Sequence, residues 1–264
     1  MATAPPQEGH SKPEFSHELA LGALSFMSAH IDEPLRLSDA ADHLGYSPFH
    51  FSRVFRTATG VAPGAFLTAL RFQRAKELLL HDEAAVIDVC TAVGYSSLAT
   101  FTRRFQQWVG VTPAALRALA VEISDKPTSP FSMGDPRQAR VEVTLEVPEH
   151  GVLQPPLVWV GWYAQPVPKG LPAAGVARHG GGVVHLPLAP GYPWLMAFTV
   201  AREAEAVEHL APATPVVAAH PKPITAACSV RLNCQTAHVL GPPMLSALPA
   251  LRTGLHTHRG EDRW

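Results

Sequence analysis

Leu37-Ser38-Asp39-Ala40-Ala41-Asp42-His43-Leu44-Gly45-Tyr46-Ser47 runs into Pro48-Phe49-His50-Phe51-Ser52-Arg53-Val54-Phe55-Arg56 and then into Gly60-Val61-Ala62-Pro63. The same order of residue types returns as Val86-Ile87-Asp88-Val89-Cys90-Thr91-Ala92-Val93-Gly94-Tyr95-Ser96, Phe101-Thr102-Arg103-Arg104-Phe105-Gln106 and Gly110-Val111-Thr112-Pro113. Gly45 and Gly94 are 49 residues apart, whereas Gly60 and Gly110 are 50 apart, so the second copy gains one residue in between. An internal repeat constrains the architecture before any other signal, and two copies are too few for a long solenoid.

Each copy reads as a short helix, a glycine turn and a longer helix, the helix-turn-helix pattern. In the first, Ser38 is the expected N-cap, and Ala40, Ala41 and Leu44 are the expected buried positions. Gly45 stands where the chain leaves the helix, a left-handed position that glycine occupies at little cost. Ser47-Pro48 opens the second helix, with proline where no N–H is required. Phe51, Val54 and Phe55 form its apolar stripe, leaving Phe49, Ser52, Arg53 and Arg56 on the other side.

The stretch 14–120 resembles the DNA-binding domain of the AraC/XylS family of transcription regulators. The resemblance rests on Gly-Tyr-Ser-Pro-x-His-x-Ser-Arg-x-Phe, on the run Arg71-Phe72-Gln73-Arg74-Ala75-Lys76-Glu77-Leu78-Leu79, and on the closing Gly110-Val111-Thr112-Pro113. It implies two helix-turn-helix units joined by a long helix, with double-stranded DNA as the partner and RNA polymerase as a candidate second partner. Arg53 and Arg103 hold matching outward positions, where an Arg fork suits a guanine edge or a phosphate. The plainer alternative is a solvated helix face. Ser52 and Thr102 match and face outward, with Arg56 beyond them. Phe49 either presses on a thymine methyl or packs into the core. In the second copy Leu98-Ala99-Thr100 replaces the polar side chains common in the family. Arg103, Arg104 and Gln106 are therefore expected to hold phosphates more than to read bases, with shape readout, and Thr100 is a further candidate DNA contact. Gly45, Tyr46, Phe51, Phe55, Gly94, Tyr95, Phe101 and Phe105 are read as structural.

The chain has 264 residues and a net charge of −1, so any basic surface must come from distribution. From Val89 to Ala120 there are arginines and no acid, and Arg53, Arg56, Arg71, Arg74 and Lys76 cluster earlier. Cys90, Cys228 and Cys234 lack ligand spacing, which argues against a disulfide framework or a zinc site. No apolar run has the ~18–20 residues of a membrane span, and no signal pattern opens the chain. A cytoplasmic location and no membrane partner are expected.

Residues 15–30 and 64–81 have helical periodicity. Residues 122–137 are rich in proline and serine and read as a linker. Beyond it Val141, Val143, Leu145 and Val147 alternate with Glu142, Thr144 and Glu146, a half-buried strand. Further strands are expected at 157–163, 182–186, 195–200, 216–219 and 225–234. Leu188-Ala189-Pro190-Gly191-Tyr192 resembles the hairpin corner of transthyretin-like domains. The fold class is thus multidomain α plus β, with an N-terminal all-α double helix-turn-helix domain and a C-terminal all-β sandwich-like domain. The expected divisions are a disordered tail (1–13), the DNA-binding domain (14–121), the linker (122–137), a β domain for an effector or an interaction (138–249), and a second disordered tail (250–264).

No nucleophile–base pair or carboxylate pair stands at catalytic spacing, so no enzyme chemistry, cofactor or metal is expected. Trp159, Trp162, Tyr163, Tyr192 and Trp194 suit either a sandwich core or an aromatic site for a small-molecule effector. The leading function is sequence-specific DNA binding by a transcription regulator, with two recognition helices in adjacent major grooves. Its rivals are a small-molecule sensor with secondary DNA binding, and a DNA-repair methyltransferase, for which Cys90 lies in a helix rather than in a proline-flanked motif.

Overall fold

The computed structural model describes residues 12–81, 83–125, 129–148 and 154–253. The helical half comprises α1 (Lys12–Ala29), α2 (Leu37–His43), α3 (Pro48–Thr59), α4 (Pro63–His81), α5 (Val86–Ala92), α6 (Leu98–Val109) and α7 (Pro113–Asp125). The two repeats are α2–α3 and α5–α6, and α4 joins them. Its two ends serve different cores. Phe66 meets Phe55 edge-on at 5.6 Å within the first unit, and Phe72 meets Phe105 edge-on at 5.6 Å within the second. The tilted contact of Phe51 with Phe55 is repeated by Phe101 with Phe105 at nearly the same distance. The repeat therefore extends from the residues to their packing.

The turns repeat in detail. Leu44, Gly45 and Tyr46 donate to Ala40, Asp42 and Ala41, and Val93, Gly94 and Tyr95 donate to Val89, Thr91 and Cys90. Both glycines are left-handed, at φ 74° and 77°. The N-cap expectation for Ser38 is not met. The cap is Arg36, two residues earlier, and the Asp39 carboxylate accepts from the Arg36 N–H at 2.7 Å, so an acid in the first turn does the capping. Ser47 caps α3 and Ser97 caps α6, accepting from the backbone N–H of His50 and Thr100. The residue gained in the second copy thus lies in the turn: the cap is Ser97, one past the Ser96 that matches Ser47 in sequence.

The C-terminal half is rich in sheet. One sheet has the order β1-β4-β3-β6-β7-β9, built from β1 (Phe131–Met133), β3 (Leu157–Tyr163), β4 (Gly175–His179), β6 (Trp194–Val200), β7 (Val216–Ala219) and β9 (Gln235–Thr236). A three-stranded sheet has the order β5-β2-β8, from β2 (Arg140–Glu146), β5 (Gly182–Pro187) and β8 (Ser229–Asn233). β2 and β8 run parallel, and the other pairs are antiparallel. Every residue of β3 is buried. Val158, Val160 and Trp162 share a core with Val141, Val143 and Leu145 of the other sheet, while Trp159 and Tyr163 pack under Met244 and Leu248.

Several expectations need correction. The C-terminal half is not all-β, because it holds helices α8 (Ala206–Leu210) and α9 (Ala250–Thr253). β1 forms inside the stretch read as linker, where a three-residue strand between Pro130 and Gly134 is too short to show alternation. α7 continues to Asp125, beyond residue 121, and α9 begins where a tail was expected. Lys12 and Pro13 of the expected first tail open α1, and the rest of both tails lies outside the described residues. Leu188–Tyr192 joins β5 to β6, which lie in different sheets, so it is a crossing between sheets rather than a hairpin.

A strap of irregular chain, Leu240–Ala250, ties the halves together. Leu245, Ala247 and Ala250 enter the core of the second unit with Leu210, and Leu240 enters the core of the first. The fully buried Lys76 of α4 donates from Nζ to the Met244 carbonyl at 2.8 Å. The last carbonyls of α6 would otherwise lack partners. Trp108 accepts from the Gly170 N–H at 2.6 Å and Val109 from the Ala247 N–H at 2.9 Å.

Candidate nucleic-acid interface

The helical period places the expected contact residues where a flat partner can reach them. Phe51, Val54, Phe55 and Thr59 are buried on α3, and Phe101, Phe105, Trp108 and Val109 on α6. Arg53 and Arg103 stand on the opposite side of each helix and are exposed, as are Arg56, Arg104 and Gln106. Ser52, Thr100 and Thr102 are half-buried at the flanks. Phe49 is 80% exposed, which removes the core-packing alternative. A ring so exposed on a basic helix costs apolar hydration unless a partner covers it. Aligned by their caps, Phe49 matches Ala99, and Val54 matches Arg104. The first helix thus offers an aromatic at its start, and the second an extra cation on its flank.

Two arginines that read as surface charge are structural hooks. Arg71, on the helix after α3, donates from Nε to the Ile31 carbonyl at 2.9 Å and from Nη2 to that of Glu33, in the loop before α2. Arg117, on the helix after α6, donates from Nε to the Leu79 carbonyl at 3.0 Å and from Nη2 to that of Ala84, in the loop before α5. In each unit the following helix holds the preceding loop. A carbonyl acceptor has no residue signature, so sequence reasoning had no signal for either hook. Arg71 also lies 5.9 Å from the Tyr95 ring, which links the first unit's loop to the second unit's turn. Lys76 is buried and Arg74 pairs with Glu77 at 3.2 Å, so neither belongs to a free basic face.

Cys90 is buried in α5 and donates from Sγ to the Tyr95 carbonyl at 3.4 Å. Burial pushes its thiol up, away from the thiolate that alkyl transfer requires. Among the described residues no cluster of histidine, cysteine and acids suits a metal ion, and no helix is long and apolar enough to cross a membrane.

Two capped helices, presented in matching register from paired three-dimensional turns, define a double helix-turn-helix domain. A helix-turn-helix domain family model matches residues 40–118. The regulatory protein PocR of Salmonella typhimurium is 34% identical over 106 residues, 40% of this chain and 35% of PocR. The right origin-binding protein of Escherichia coli is 34% identical over 94 residues, 36% of this chain and 32% of that protein. The chain thus spans about a third of the length of these curated relatives. A solved Chromobacterium violaceum transcriptional regulator, described as AraC-type, is 31% identical, with 39% of this chain and 93% of that one covered and a TM-score of 0.38. Residues 40–118 thus carry a helix-turn-helix domain, and over its helical half the chain is similar to these regulators.

Proposed function

We propose that this chain is a sequence-specific DNA-binding transcription regulator whose two recognition helices, α3 and α6, read adjacent major grooves. The observation that carries the reading is the matched exposure of Arg53 and Arg103 on two capped helices. They are held in one frame by α4 and by the Arg71 hook. DNA of B form repeats every ~34 Å, about 10 base pairs, so two such helices on one chain suit two half-sites on one face. The contact set is Phe49, Ser52, Arg53 and Arg56 from the first unit and Thr100, Thr102, Arg103, Arg104 and Gln106 from the second. We also take the helical half as the DNA-binding domain and read the two sheets, which share one core, as sandwich-like.

Selection of bound DNA from a random pool by the full chain, followed by footprinting, tests this. The expected result is an enriched non-palindromic site with two protected segments about 10 base pairs apart. A single short protected segment would remove the two-groove reading, and an unenriched pool would remove sequence-specific binding altogether. A sensor role for the C-terminal half is the weaker reading: the apolar crevice lined by Phe131, Leu157, Trp159, Phe198, Met244 and Leu248, between the larger sheet and the strap, has a volume of about 30 Å³, far below the ~300–1,000 Å³ of small-molecule sites.

A further inference from the structure

The loop before β4 reaches back to α6. Its Gly170 N–H bonds the Trp108 carbonyl, Leu171 lies against Gly110, and the Lys169 ammonium sits 4.7 Å from the centre of the Trp108 ring. These three contacts fix Lys169 at the C-terminal end of the second recognition helix. Its charge adds to a local excess of cations. Arg104 of α6 acts electrostatically on Lys169 and also on Arg71 across the Tyr95 ring. Burial lowers the Lys169 ammonium first, the charge of Arg104 lowers it further, and no acid offsets them. Among the described residues Asp32 acts on Arg71 and opposes this excess in part. Like charges collected with little acid beside them cost folding free energy, and an anion recovers it.

Building on the DNA-binding reading, we propose that Lys169 is a DNA-backbone contact: the β-rich half supplies a phosphate-binding lysine beside the second recognition helix. The ligand group is a phosphodiester oxygen. Lys169 serves it as a point charge, and the contact of its ammonium with the Trp108 ring holds the group in place without consuming all three N–H donors. The first unit has no counterpart, since Val54 occupies the place of Arg104. The second unit therefore has a one-sided cationic flank drawn from both halves of the chain. This also gives the short Gly170–Trp108 bond a purpose beyond closing a helix end: it sets the reach of its neighbour.

The test compares the full-length wild type with Lys169→Met, Lys169→Arg and Lys222→Ala, on the selected site and on scrambled DNA, across several salt concentrations. Methionine keeps an unbranched stem over the indole and removes the charge. Lys222 is exposed in a loop after β7, and its backbone bonds only within that loop. The expected result is that Lys169→Met loses affinity several-fold on both DNAs and lowers the slope of log affinity against log salt by about one ion. Lys169→Arg restores both, and Lys222→Ala changes neither. An affinity loss with an unchanged slope means that Lys169 only positions α6, and overturns the inference. So does unchanged binding. If Lys169→Met melts well below the wild type, Lys169→Gln gives the same comparison. Wild type that binds no DNA overturns the regulator reading itself, whereas wild type that binds while Lys169→Met matches it overturns this inference alone.

Discussion

At the scale of single residues, the two outward arginines are equal in position and unequal in company. Arg53 stands with Ser52 and the exposed Phe49, and Arg103 with Ala99 and Arg104. Arg53→Ala is expected to cost roughly 1–3 kcal/mol on the specific site and to relax the preference at one base position. Arg103→Ala is expected to weaken specific and scrambled DNA alike, because a phosphate contact carries no base information. Titrations of both variants on both DNAs check this, and the reverse pattern would exchange the roles. These positions were legible in the sequence because the helical period alone separates Phe51 and Phe55 from Arg53. Lys76 was not. Read as a surface cation, it is fully buried, and desolvation lowers its ammonium to about 7, with neighbouring Glu77 opposing. The unfolded chain holds the proton between pH 7 and 10.5 and the folded chain does not, so stability should rise with pH across that window. Lys76→Met should flatten that rise. Its advantage over wild type should be largest at pH 6, where a buried charge is removed, and clearly smaller at pH 9, where much of the rise has taken place and the lost donor to Met244 counts against the variant. Urea unfolding at the two pH values reads the narrowing gap.

Among the elements, the two turns share backbone geometry and differ in what surrounds them. A methyl group on Gly45 would meet nothing within 4 Å, whereas on Gly94 it would meet the Arg71 guanidinium at 2.8 Å and the Ile31 carbonyl at 2.9 Å. Both substitutions to alanine carry the left-handed penalty of ~1–2 kcal/mol. Gly94→Ala must also displace the Arg71 hook, so it should cost a further ~1–3 kcal/mol. Chemical denaturation of the two variants measures the gap, and equal losses would show that the hook contributes little. The repeat made both turns readable, yet it hid this difference, because Ile31 and Arg71 are 40 residues apart in the chain. Strands followed the same rule. β3 and β7 have the limits that their apolar runs suggest, and β2 shows its alternation. β1 and β4 escaped notice. The first is three residues long, and the second has only Val176 and Ala177 before Arg178 and His179 end its apolar run. Their pairing with β3 depends on partners rather than on local pattern.

For the molecule as a whole, the linker composition suggests two independent halves, and the strap joins them. Residues 1–125 contain both units and α4, but the second core would lose Leu210, Leu245, Ala247 and Ala250. The fragment should therefore melt below the full chain and protect the first half-site better than the second. Thermal unfolding with footprinting of the fragment shows whether this is so, and equal melting would mean that the strap merely rests on the helices. The strap was illegible because Met244–Ala250 has neither helical nor strand period, and its burial follows from the two surfaces it covers. Its place in the chain also orders events in time. About 120 residues separate the end of α7 from Met244. At ~5–20 residues per second the ribosome takes roughly 6–24 s to make them. Throughout that interval Lys76 lacks the Met244 carbonyl that accepts from it. Burial of Lys76 at a pH above neutral expels a proton, so completion of the fold should be disfavoured in an acidified cell.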